Sequence, residues 1–345
     1  MEEETPDSQA SDDSLDKRVE KYVNEIIDTK HPNLKLDDIC GCKDVKDLLK
    51  ECIILPIKFP QLFTGRRTPW KGILLYGAPG AGKTMLIKAL GGECPDIPFL
   101  RVDGSDLISQ WYEEPDRIVK ECFKQAKKLR PCILLIDDIT ELLSNDQTRY
   151  NKARTELLVQ IQDIGQDNGG IHTILTSSEP WKIQRSILRR LNKKILVPMP
   201  DMESRKQIFK IMFESSKVKC EISDEDFEIF AEKSEGYSGA DICCVVRDAA
   251  METVREIQKA THFRQVEIQS PDSPGEKVCQ YAICSSVHPD AIAMTFLDLM
   301  NETDTLYERA TNKDDVLKCL SKSKPSIDDE YLKQLREFTQ EQIEY

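Results

Sequence analysis

The stretch that most constrains this chain is Gly77-Ala78-Pro79-Gly80-Ala81-Gly82-Lys83-Thr84, a GxxxxGK sequence closed by threonine. It follows the apolar run Ile73–Tyr76 and precedes Met85–Leu90, which reads as a helix. Strand, glycine-rich turn and helix in that order specify a site for nucleotide phosphates. The glycines let the backbone curl until successive N–H groups point inward at a β-phosphate, helped by the positive end of the helix. Lys83 then reaches the β- and γ-phosphates, and the Thr84 hydroxyl holds Mg2+. The bland alternative is an unliganded glycine-rich turn, and the flanking strand and helix argue against it.

An acidic pair at the end of a second apolar run, Cys132–Ile136, completes such a site. Asp137 is placed to bind Mg2+ through water, and Asp138 lies where a carboxylate activates the attacking water. Alone, two acids after a strand are weak evidence, because strands often end in solvated charges. Behind a phosphate loop they read as functional.

The 345 residues allow two or three compact units. A net charge of −13 makes nucleic acid a poor partner. There is no run of about 18 apolar residues to span a membrane, and the acidic start MEEETPDSQASDD argues against a secretory or mitochondrial leader. The 12 cysteines lack the paired spacing of a zinc site, and Cys243-Cys244 fall in a helical pattern where buried thiols are the default. A reducing cytosolic compartment fits them.

Residues 1 to about 13 are expected to be disordered. An amphipathic helix follows from Ser14 to near Lys30, with Leu15, Val19, Tyr22 and Ile26 on one face. Strands are expected at Phe99–Val102, Ile171–Leu175 and Ile195–Val197, alternating with helices. That alternation marks a parallel sheet covered by helices on both faces. From Asp201 to about His262 the pattern is helical. Residues 264–300 carry prolines and read as a loop-rich insertion, and the end returns to helix. The expected organisation is a tail and short helix at 1–32, a nucleotide-binding α/β unit at 33–200, and a small helical lid at 201–345 with the terminal helix.

The chain resembles AAA ATPases of the meiotic clade. The resemblance rests on Asp38-Ile39-Cys40-Gly41, the phosphate loop, Ile136-Asp137-Asp138, Arg189-Arg190 and Gly236-Tyr237-Ser238-Gly239-Ala240-Asp241. Within the clade it is most similar to the vacuolar protein sorting-associated protein 4 family, through ILPIKFPQLF at 54–63, IQKATHF at 257–263 and SKPSIDDEYLKQLREFTQE at 323–341. Pro69-Trp70-Lys71-Gly72 is closer to katanin.

The resemblance implies ATP and Mg2+ bound at the interfaces of a hexameric ring, either of one chain or mixed with a paralogue. Adenine would lie against Asp38, Ile39 and Gly41 and near Gly239 and Ala240. Met85 would adjoin the phosphates. Arg189 and Arg190 match fingers that reach a neighbouring protomer's γ-phosphate. Trp111 and Tyr112 match pore residues that grip an extended polypeptide. The implied clients are filament-forming proteins of the ESCRT-III type, met by a cytoplasmic protein recruited to endosomal membrane through partners only. The rival readings are a microtubule-severing enzyme of katanin type and a weakly active ATP-binding regulator of a mixed ring.

Several positions depart from the family pattern. Gln110 and Glu113 change the charge of the pore motif. Asp138 replaces the usual Glu, retracting the carboxylate by about 1 Å, and such misplacement costs up to ~100-fold in rate. Ser178 replaces a polarising Asn, a loss of similar size. Thr140 stands where an acid is usual, and the second pore loop at 143–152 is shortened. Binding is therefore expected to be sound and turnover slow. The family's N-terminal three-helix domain has no room in the roughly 35 residues before the core, so recruitment is expected to come from elsewhere.

Overall fold

The computed structural model describes residues 6–65, 67–70, 72–108, 115–144, 150–164, 170–216, 218–269, 277–299 and 306–343. Trp111 and Tyr112 lie outside the described residues. The chain divides into two compact units, Met1–Pro200 with Ile327–Tyr345, and Asp201–Ser326.

The first unit is built on five parallel strands: β1 (Gly72–Gly77), β2 (Phe99–Asp103), β3 (Cys132–Asp137), β4 (Ile171–Ser177) and β5 (Lys193–Val197), in the order β2-β3-β4-β1-β5. Every residue of β1, β3 and β4 is buried, because helices cover both faces and no strand face meets water. Alternation sorts the side chains. Ile73 and Leu75 enter one core with α2 (Lys43–Leu49) and α4 (Lys83–Gly92). Leu74 and Tyr76 enter the other with α1 (Pro6–Ile26), α6 (Pro115–Lys128) and α8 (Asn151–Ile164). The short helices α3 (Leu55–Lys58), α5 (Gly104–Leu107), α7 (Thr140–Leu143) and α9 (Arg185–Leu188) line the connections.

The strand order decides where chemistry sits. β4 lies between β1 and β3, with Tyr76 opposite Ser177 and Ile136 opposite Leu175. The end of β4 is thus held between the phosphate loop and the acidic pair. In open α/β sheets, ligands bind beyond such carboxyl ends.

The N-terminal helix begins at Pro6, so residues 6–13 are helical and not disordered. Their polar sequence carries no apolar stripe to signal it. The helix ends at Ile26, earlier than expected, and Asp28 then pairs with Arg101 on the edge of β2. Val19 and Val23 are buried, and the Tyr22 hydroxyl donates to the Asp106 carbonyl at 3.2 Å.

The terminal helix α14 (Asp329–Ile343) belongs to the first unit, not to the lid as its place in the sequence suggests. Leu335 and Phe338 enter the α1-side core, and the Phe338 ring meets Tyr76 edge-on at 5.3 Å. The spacing of Tyr331, Leu335 and Phe338 announces a buried face but not what it meets.

The second unit holds α10 (Met202–Ser215), β6 (Cys220–Glu221), α11 (Asp224–Lys233), α12 (Gly239–Lys259), β7 (His262–Gln269), β8 (Lys277–Ile283), β9 (Ile292–Ala293), β10 (Thr311–Asn312) and α13 (Lys313–Lys322). Phe209, Phe213, Phe227 and Phe230 form its core with Ile242, Val245 and Val246. Cys243 and Cys244 are exposed rather than buried, because the residues of α12 on either side of them turn inward. The region expected to be loop-rich carries an antiparallel sheet in the order β8-β7-β9. Its strands hide little apolar surface, so hydrophobic alternation gives them weak notice.

Candidate nucleotide site

The phosphate loop runs from β1 into α4, and its backbone needs glycine where the chain turns left-handed. Gly80 has φ +74° and Gly82 φ +96°. A Cβ at Gly82 would meet nothing within 4 Å, so this side of the loop is open to a ligand. At Gly77 the need is different: a Cβ would lie 2.4 Å from the Val197 carbonyl oxygen.

Lys83 is only 8% exposed, and its ammonium donates to the carbonyls of Gly77 at 2.9 Å and Ala78 at 3.0 Å and to Ser178 Oγ at 3.1 Å. Burial pulls its pKa down to about 8, while Asp138 and Asp137 act against that shift. The lysine thus bridges the loop and the end of β4. A nucleotide supplies the stronger partner.

Thr84 Oγ1 donates toward both oxygens of Asp137, each at 3.0 Å. Asp137 is buried at the end of β3, where Oδ1 accepts from Thr176 Oγ1 at 2.7 Å and Oδ2 from an Arg101 NH2 group at 3.1 Å. This hydroxyl–carboxylate pair is an all-oxygen donor set, and it fits a hard divalent cation such as Mg2+. When bound, the ion offsets phosphate charge. Thr84 and Asp137 would hold it, directly and through water respectively.

Asp138 is exposed and has φ +49°, a left-handed conformation that Asp tolerates better than most residues. Its N–H donates to Thr176 Oγ1 at 2.7 Å, and its Oδ1 accepts from Thr140 Oγ1 at 2.7 Å. Thr176 therefore ties both acids to β4. Ser178 contacts Lys83 through its hydroxyl, and its carbonyl accepts from the Tyr331 hydroxyl of α14. Burial raises the pKa of that phenol, helped by the charges of Glu179 and Asp138, so it remains a donor. The Tyr331 ring also meets Trp181 edge-on at 4.9 Å.

The remaining predicted residues are more dispersed. Asp38 caps the turn Leu36–Asp38 by accepting from the Lys35 N–H at 2.7 Å. The Ile39 carbonyl accepts from Lys46 Nζ at 2.5 Å, and Gly41 has φ +65°. Ala81 packs on the α4-side core, and Met85 is exposed. Arg189 and Arg190 are exposed just beyond α9. Arg189 lines a groove with Trp181, Leu188, Lys194 and Phe338. Gly239 and Ala240 form the first turn of α12 in the second unit, behind the Ser238–Asp241 capping box.

Arg101, Thr176, Thr140 and Tyr331 are site residues whose contacts the sequence pattern does not disclose. Arg101 leaves a trace as the one charge within Phe99–Val102, Thr140 as a departure from the family pattern and Tyr331 as part of an apolar stripe; Thr176 leaves none.

Three family models match the chain: the ATPase family associated with various cellular activities (AAA) at residues 73–199, the AAA+ lid domain at 224–268, and the Vps4 C terminal oligomerisation domain at 281–342. The chain is 39% identical over 336 residues to mouse vacuolar protein sorting-associated protein 4B, covering 96% of this chain and 75% of that protein. It is 37% identical over 337 residues to vacuolar protein sorting-associated protein 4 of Dictyostelium discoideum, covering 96% of this chain and 74% of that protein. The FIGL-1 AAA domain in complex with ADP superposes with a TM-score of 0.73 at 25% identity, over 94% of this chain and 97% of that one. With phosphate loop, acidic pair, lid and oligomerisation segment in family order, the chain belongs to the vacuolar protein sorting-associated protein 4 family of AAA ATPases, as a divergent member.

Proposed function

We propose that this ATPase works as a hexameric ring that remodels filament-forming proteins of the ESCRT-III type, with ATP and Mg2+ bound in every protomer at Gly77–Thr84. The observation that carries the reading is the match to an oligomerisation domain at 281–342 in a chain whose first unit joins the Gly77–Thr84 loop to Asp137 through the Thr84 hydroxyl. Adenine is assigned to Asp38, Ile39 and Gly41. Arg189 and Arg190 act in trans on the γ-phosphate, because a guanidinium beside the transferring group stabilises its developing charge. Trp111 and Tyr112 grip the client in the pore. Recruitment to endosomal membrane goes through partners; no helix among the described residues is long and apolar enough to cross one.

Asp138 is the group that activates water. It is exposed, and its carboxylate keeps acceptor capacity beyond the Thr140 bond. Lys83 leaves Ser178 for phosphate when nucleotide arrives, freeing the Ser178 hydroxyl to orient the same water.

A second reading, a weakly active member of a ring with a competent paralogue, is favoured by the shorter acid at Asp138 and by Ser178 in place of an amide. One experiment separates these. Purified chain is incubated with assembled ESCRT-III-type filaments and ATP, and filament loss is followed by sedimentation. The main reading expects disassembly by this chain alone, abolished by Lys83→Ala. Disassembly only after a paralogue is added would favour the regulator, and no filament loss in either case would refute the client assignment.

A further inference from the structure

We propose that Arg101 is a fixed counter-cation for Asp137, which lets this chain hold nucleotide with less help from the divalent ion than it would need without that cation. This rests on the nucleotide reading of the site. The Arg101 guanidinium donates to Asp137 Oδ2 at 3.1 Å and to Asp103 Oδ1 at 2.9 Å. The side chain is 25% exposed and the Asp137 side chain 11%, so their attraction is only partly screened by water.

Its position is fixed from both sides of the strand. Within β2, Arg101 is in register with Leu135 of β3, and Asp103 with Asp137. On the outer edge Arg101 exchanges two backbone hydrogen bonds with Asp28, at 2.9 and 3.0 Å, so the strand that carries it is paired on both edges. Asp137 is left with Thr176 on Oδ1, Arg101 on Oδ2 and the Thr84 hydroxyl across both.

The consequence is electrostatic. Nucleotide phosphates bring negative charge up to Asp137 and Asp138, and a divalent ion ordinarily offsets it. Arg101 offsets part of it permanently. It also occupies an acceptor position on Asp137 that waters of a metal shell would otherwise use. Both effects weaken the coupling between nucleotide and metal. Arg101 acts through Asp137 and is a positioning residue.

The test is a titration of the full chain with fluorescently labelled ADP, first in EDTA and then at rising Mg2+. Replacing Arg101 by Gln should lower metal-free affinity about tenfold and Mg2+-saturated affinity less than about threefold, so the enhancement by Mg2+ grows. Arg101→Lys should stay within about threefold of wild type under both conditions. Arg101→Met, which keeps the apolar stem, repeats the test if the Gln variant melts early. An unchanged Mg2+ enhancement in the folded neutral variants overturns the role of Arg101 while leaving the nucleotide site standing. Absence of labelled ADP binding by wild type under either condition overturns both.

Discussion

Thr140 donates its hydroxyl hydrogen to Asp138 Oδ1 at 2.7 Å, while its oxygen meets Ser177 Oγ at 3.1 Å. A buried threonine thus anchors the exposed acid to the end of β4, and the short Asp carboxylate is held in place rather than left to swing. Thr140→Val removes the donor with little change in shape. Turnover should fall about threefold to tenfold, because the carboxylate loses its orientation toward water. Nucleotide affinity should be unchanged. Steady-state hydrolysis beside a binding titration checks both, and unchanged turnover would remove Thr140 from the account.

Tyr331 ties α14 to the strand end that carries Ser178. Tyr331→Phe keeps the ring against Trp181 and deletes the hydroxyl's bonds to the Ser178 and Gly77 carbonyls, which predicts a loss of about 1 kcal/mol in urea unfolding. Turnover should drop a few-fold as the end of β4 loosens. A stability loss with turnover untouched would make the contact purely structural.

His172 lies buried in β4, with Nδ1 unpartnered among the described residues, and burial pulls its pKa down to about 4. The unfolded chain, with an ordinary value near 6.5, binds the proton first. Stability is therefore full above about pH 6.5 and declines as pH falls toward 4, by about 2 kcal/mol between pH 7 and pH 5. His172→Gln should flatten that decline in urea melts. Equal slopes for variant and wild type would place the acid sensitivity elsewhere.

Arg189 and Arg190 are exposed just beyond α9, and their proposed role is to act in trans on a neighbouring protomer's γ-phosphate. Mixing Arg189→Ala/Arg190→Ala chains with Lys83→Ala chains should restore part of the lost hydrolysis. Each mixed interface can combine intact fingers from one chain with an intact phosphate loop from the other. With mixed assemblies verified by crosslinking, no recovery at any ratio rules out action in trans.

The phosphate loop and acidic pair are legible in the sequence because their chemistry demands fixed residue types at fixed spacing beside apolar runs. Gly82 and Lys83 could be little else once that context is read. Arg101 and Tyr331 are different. Their importance comes from strand order and from a helix returning about 150 positions later, and the local traces they leave do not name those contacts. The destination of α14 is hidden for the same reason, since an amphipathic stripe does not name its partner. The sheet formed by β7–β9 escapes notice because its strands bury little beyond Phe263 and Ala282, too little to enforce alternation.

Asp138→Glu lengthens the acid toward the γ-phosphate and should raise turnover about tenfold. Ser178→Asn should add less than its own separate gain, because both residues orient one water. A fall in rate for Asp138→Glu with binding unchanged would mean that the Thr140 anchor has adapted the site to the shorter acid.

The central claim is that the first unit binds ATP at Gly77–Thr84 and cleaves it through Asp138. The most direct measurement is hydrolysis by Asp138→Asn at saturating ATP, with bound nucleotide quantified in the same samples. The account predicts that ATP stays bound at wild-type occupancy while turnover falls by about 100-fold or more, since the amide accepts no proton from water. Wild-type turnover in that variant would contradict it.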